Sequence, residues 1–197
     1  CMMNESPSLK QKPYATPAEE ETIERIDVGD HFRKQLSSSI MAYFSLVESL
    51  AEEKTDSARS NSRHFLESLN ELAIKNEPPE AQSFWNKHSS GLLSNLSKMQ
   101  ELGDIEGLRR VFETVSEDFS RIVMAFGHSL GHDVKLYHCT MAFGGRGAYW
   151  LELGENKTNP YFGRTPYKGQ DMLKCGELQE TIPSTPPKSG ALEQRRV

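Results

Sequence analysis

Residues 105–139 read IEGLRRVFETVSEDFSRIVMAFGHSLGHDVKLYHC, and the fold turns on this stretch. Leu108, Phe112, Val115, Phe119, Ile122 and Phe126 recur at steps of three and four, which places them on one face of an α-helix. Asp104, just before, is an acceptor suited to the helix start, and the glycine in LGD stops the element before it. Beyond Gly131 the period is lost. VKLYH is short and β-rich, so the chain passes here from helix to strand.

Upstream of the switch the helical pattern repeats. Phe32, Leu36, Ile40, Tyr43, Val47 and Leu50 make one apolar face, and Ala58, Phe65, Leu69 and Leu72 make a second after a break at EKTDS, where Thr55 or Asp56 is the expected cap. NEPPEAQ closes that helix and opens a third, because proline fits a first turn and not an interior. Trp85, His88, Leu92, Leu96 and Met99 form the third face. Four amphipathic helices with short connections predict an antiparallel four-helix bundle over residues 29–131. Downstream, GAYWLEL and ELQETI join VKLYH as strands separated by Gly, Asn and Pro, predicting a small irregular β-rich lobe over 132–182 packed on the bundle. The expected class is α+β, mainly α. Residues 1–28 read as a flexible tether and 183–197 as a disordered tail, since neither carries a sustained apolar period.

Composition narrows the function. The 197 residues carry a net charge of −5, with a mean hydropathy of −0.62 and a pI near 5.7. An acidic chain without a basic stripe is not expected to bind nucleic acid. No apolar run is long enough to span a bilayer. The sequence opens on Cys1, which reads either as the lipid-bearing cysteine of a processed bacterial lipoprotein or as an arbitrary boundary; a membrane is expected as a partner only through that anchor.

Three cysteines are too few for a disulfide-rich scaffold. Two of them stand in mirrored order with methionine, Cys139-Thr140-Met141 and Met172-Leu173-Lys174-Cys175. Thiolates and thioethers are soft donors preferred by Cu(I) and Ag(I). An extended backbone would send Cys139 and Met141 to one side, and a turn would bring Met172 to Cys175, so the two pairs can close a four-sulfur cage. His138 adjoins as an alternative ligand. Zn(II) ranks lower, because its sites favour Cys-x-x-Cys pairs or added histidines. Two plainer readings stay open: methionine as core filler with inert buried cysteines, and a Cys139–Cys175 disulfide.

Other groupings are weaker. His128 and His132 are four apart, but Gly131 intervenes and no glutamate adjoins His128, so a metalloprotease helix is not indicated; histidine at a helix C-terminus is ordinary. His31, His64 and His88 are scattered along the helices. FGGRG lacks the Lys-Ser/Thr of a phosphate loop and reads as a hairpin loop. Trp150 reads as the anchor of the lobe's core. No Ser/His/Asp grouping or carboxylate pair stands out, and the chain is read as a non-enzyme.

YHCTMAFGGRGAYWLELGENKTNPYFG followed by MLKCGEL resembles an uncharacterised bacterial domain family. Its signature runs Cys-Pro-Met, a Gly-Ala-x-Trp-Leu strand, Asn-Pro-Tyr-Phe/Tyr-Gly and Met-Leu-x-Cys-Gly. The family occurs as standalone envelope proteins and fused to the C-terminus of periplasmic adaptors of copper and silver efflux systems. The resemblance implies four helices followed by the motif lobe, an envelope or periplasmic location, efflux components as partners, a role in metal resistance or delivery, and Cys139, Met141, Met172 and Cys175 as ligands of Cu(I) or Ag(I). From another class, the alternative is an interaction module of an efflux or envelope assembly with a structural lobe. The chain departs from the signature twice: Thr140 stands for proline, and RTPYKGQD (Arg164–Asp171) separates Gly163 from Met172, an insertion expected to displace the second pair or to add a lid.

Overall fold

The computed structural model describes residues 23–154 and 157–186. Four long helices come first: α1 (Asp30–Ala51), α2 (Thr55–Asn70), α3 (Pro79–Met99) and α4 (Ile105–Phe126). Three strands follow, β1 (Val134–Cys139), β2 (Ala148–Leu153) and β3 (Glu177–Ile182). The class is α+β, mainly α.

Every residue of the α4 stripe is buried, as are the apolar faces of α1 and α3. Helix α1 packs against α2 and α3 against α4, the two hairpins meeting through α2 and α3. At their centre Tyr43, Phe65, Phe112 and Phe119 pack with ring centroids 4.7–5.7 Å apart, an aromatic core of large apolar area. Asp104 caps α4 by accepting from the Gly107 N–H at 2.7 Å. The α2 cap differs from expectation. Thr55 is already the first helical residue, and Lys54, without a side-chain acceptor, precedes it.

Residues 23–28, counted with the tether on sequence grounds, pack against the end of α4, with Ile26 and Val28 buried. A helix leaves its last carbonyls without intrahelical donors. Here Ile26 N–H donates to Ala125 O (2.8 Å), and the Arg25 guanidinium to Met124 O (3.0 Å). On the tail side, Thr185 N–H reaches His128 O at 2.7 Å. Residues 1–22, with Cys1, and 187–197 lie outside the described residues.

The sheet has the order β2-β1-β3, both pairings antiparallel, with β1 central. Strand β2 is buried on nearly every residue instead of alternating, and its outer edge explains why. The Tyr43 hydroxyl accepts the Leu151 N–H (3.0 Å), Ser116 donates to Tyr149 O (2.8 Å), and Tyr161 donates to that same carbonyl. Tyr43 and Ser116 hydroxyls also bond each other at 2.7 Å. Helix side chains thus take the place of a fourth strand, satisfying an edge that would otherwise be open.

Candidate metal centre

Cys139 ends β1 opposite Ala148 of β2. Its side chain is fully buried, and it belongs to the apolar core. The chain turns at once: Thr140 and Met141 form a turn, with Met141 at φ −86°, ψ −13°. The extended Cys-x-Met backbone expected from the sequence is therefore absent. Met141 instead lines a cleft between the bundle and the lobe, together with Phe143, Tyr161 and Phe162.

The second pair folds as its spacing predicts. Cys175 N–H donates to Met172 O at 2.9 Å, closing a β-turn over Leu173 and Lys174. Met172 is 2% exposed and Cys175 half-buried. This turn brings the Cys175 sulfur to 3.7 Å from that of Cys139, across 36 residues of sequence. Neither forms a disulfide. A disulfide would need about 2.05 Å, so the pair stands in contact without a bond. Burial, and then the neighbouring Cys139 sulfur, push the Cys175 thiol up to about 11. At neutral pH that thiol keeps its proton, and a metal must displace it.

The insertion Arg164–Asp171 leaves the thiol pair together. It is exposed and pinned to the corner between α1 and α2: Arg164 pairs with Glu52 (3.2 Å), and Thr165 donates to Glu53 from its N–H (3.0 Å) and hydroxyl (2.6 Å). Thr165, Pro166 and Tyr167 wall the Met141 cleft, whose volume is about 360 Å³. Of the two expected outcomes, the insertion covers a cleft beside the site.

His138 faces elsewhere. Successive strand residues point to opposite sides, and its ring stacks on Tyr149 at 4.2 Å. A Cβ added at Gly147 would overlap that imidazole. Burial lowers its pKa, which keeps the ring neutral. His128 and His132 are not brought together either: α4 ends before them, His128 is buried with Nε2 3.0 Å from Ile182 O, and His132 is exposed. Among the described residues no group of three or more His, Cys, Asp or Glu side chains is gathered for a metal.

Trp150 is fully buried, stacked on Tyr137 at 5.5 Å. It also borders the second pair: Gly176, at φ +147°, packs so tightly on the indole that a Cβ would overlap it. Sequence reasoning missed Arg109, which is 3% exposed and bonded to Pro160 O (2.9 Å), Leu50 O (3.0 Å) and Glu106 (2.8 Å). An arginine near the start of a helix reads as solvated, and only the glycine at position 163, which an added Cβ would drive into Arg109, hints at the close approach.

Residues 40–131 match the model of a family described as a protein of unknown function (DUF3347). That span runs from within α1 to the loop before β1, so the likeness to an uncharacterised family rests on the helices and contains neither cysteine-methionine pair. No curated protein and no solved structure matches the chain.

Proposed function

We propose that this chain binds a soft monovalent metal ion, Cu(I) or Ag(I), through the thiolates of Cys139 and Cys175, with Met172, from the same turn as Cys175, and Met141, two residues after Cys139, as candidate thioether donors. The supporting observation is the meeting of the two thiols at 3.7 Å, from a strand end and a turn far apart in sequence. The metal is cargo, held for resistance or delivery in the bacterial cell envelope, with heavy-metal efflux components as partners. Zn(II) fits less well, since no third nitrogen, oxygen or thiolate donor of the usual kinds joins the pair among the described residues. No helix among the described residues is long and apolar enough to cross a membrane.

Anaerobic Cu(I) titration against a chromophoric chelator tests the reading. The reduced wild type is expected to take up Cu(I), and Cys139→Ser and Cys175→Ser to lose that uptake; serine variants that titrate like the wild type would sink the proposal. The same thiol contact favours a second reading, a structural disulfide in a protein-interaction module. A native Cys139–Cys175 disulfide, with no metal taken up after reduction, would establish it.

A further inference from the structure

Asn159 is bonded to the turn that carries Cys175. Asn159 is fully buried and uses its polar groups in both directions. Its backbone N–H donates to Leu173 O (2.7 Å), its Nδ2 donates to Cys175 O (2.8 Å), and its Oδ1 accepts the Tyr161 N–H (2.9 Å). Two of these bonds grip the Met172–Cys175 turn, one at its middle and one at its last residue. The following residue is gripped in turn by the bundle, because the Pro160 carbonyl accepts from the buried Arg109 on α4. Cys139, opposite, is fixed independently by its pairing with β2.

We propose that Asn159 is a positioning residue: it holds the Met172–Cys175 turn at a set distance from Cys139 and so determines the geometry of the thiol pair. Its importance for metal rests on the function proposed above; its control of the thiols does not. Asparagine suits the post because one planar amide donates to a carbonyl and accepts from an N–H at the same time. Aspartate keeps the shape and the acceptor for Tyr161, but sets a carboxylate oxygen against Cys175 O where a donor stood.

The test compares wild type, Asn159→Asp and Tyr161→Phe in glutathione redox buffers. In this equilibrium two protein thiols and oxidised glutathione give the protein disulfide and two reduced glutathiones. Its position reports the effective concentration of one thiol at the other. Asn159→Asp is expected to lower that concentration about tenfold or more, the size of effect expected when a buried hydrogen bond loses its donor. Tyr161→Phe, which loses a hydrogen bond to β2 without touching the turn, is expected to lower stability and leave the thiol equilibrium near wild type. An unchanged equilibrium in a folded Asn159→Asp protein overturns the proposal. If that variant does not fold, hydrogen exchange of the Asn159 side-chain amide decides in the wild type: protection supports the grip, and exchange at the free-amide rate overturns it. A thiol equilibrium shifted by Asn159→Asp in a protein that takes up no Cu(I) supports the positioning role while removing the metal.

Discussion

Glu152 keeps a carboxyl group where a carboxylate is poorly solvated. It is 9% exposed on β2 and accepts from Thr158 N–H (2.8 Å) and Trp150 Nε1 (3.3 Å). Burial raises its pKa to about 7, and those two donors pull it only part of the way back. A raised folded pKa means the native state holds its proton more tightly than the unfolded chain. The stabilisation is therefore complete below the ordinary glutamate range and is lost as pH rises through about 7. Asp118, raised to about 6 by burial and then by Glu117, acts in the same sense. The unfolding free energy is expected to fall between pH 5 and pH 8 by an amount on the order of 1–3 kcal/mol, most of it from Glu152, because solvent screens the partly exposed Asp118. Glu152→Gln should remove a large part of that slope and raise stability at the alkaline end; a slope equal to wild type would show that Glu152 is solvated. Such a residue is not legible in a sequence, because Glu in an apolar strand looks like the solvent-facing member of an alternating pair. The cysteines were legible for the opposite reason: their chemistry is specific and their numbers few.

At the scale of elements, periodicity located the four helices and the three strands, since each apolar stripe or β-rich run is a local signal. What it did not reveal is how β2 meets the bundle. Its outer edge is completed by hydroxyls of Tyr43 and Ser116, residues that sit in helices and register in a pattern only as a core aromatic and a small polar neighbour. Burial raises the pKa of the Tyr43 phenol, which stays protonated throughout the physiological range. Tyr43→Phe keeps the ring in its aromatic cluster but leaves the Leu151 N–H without its acceptor. The expected cost is about 1–3 kcal/mol in denaturant unfolding, the penalty for a buried donor left unmade. The Leu151 amide should exchange faster in the same variant. The Cys-x-Met pair illustrates the converse failure: its spacing is compatible with an extended strand, yet β1 ends at Cys139 and the turn that follows carries Met141 to the cleft.

For the molecule as a whole, Arg109 is the bolt between bundle and lobe. Its guanidinium joins α4 to the α1 carbonyl of Leu50 and to Pro160 beyond β2, with Glu53 3.8 Å away. Arg109→Met removes these bonds at little change in bulk and leaves the Leu50 and Pro160 carbonyls without their donor. We expect a loss of about 2–4 kcal/mol, since several buried acceptors lose a charged donor together. Differential scanning calorimetry would read it as a lowered Tm, and an unchanged Tm would mean that water reaches those carbonyls. Shortening Arg164–Asp171 should by contrast cost little, because its contacts with Glu52 and Glu53 are exposed.

The stitched edge of β2 also bears on the order of events in folding. The Tyr43 hydroxyl and the Leu151 amide lie 108 residues apart along the chain, so closing that bond has to wait on a long loop. The helices, built from local contacts, can form first, but their innermost hydroxyls then lack the strand that completes them. Bundle and lobe are in this respect coupled: a strand of the lobe satisfies a hydroxyl of the first helix of the bundle.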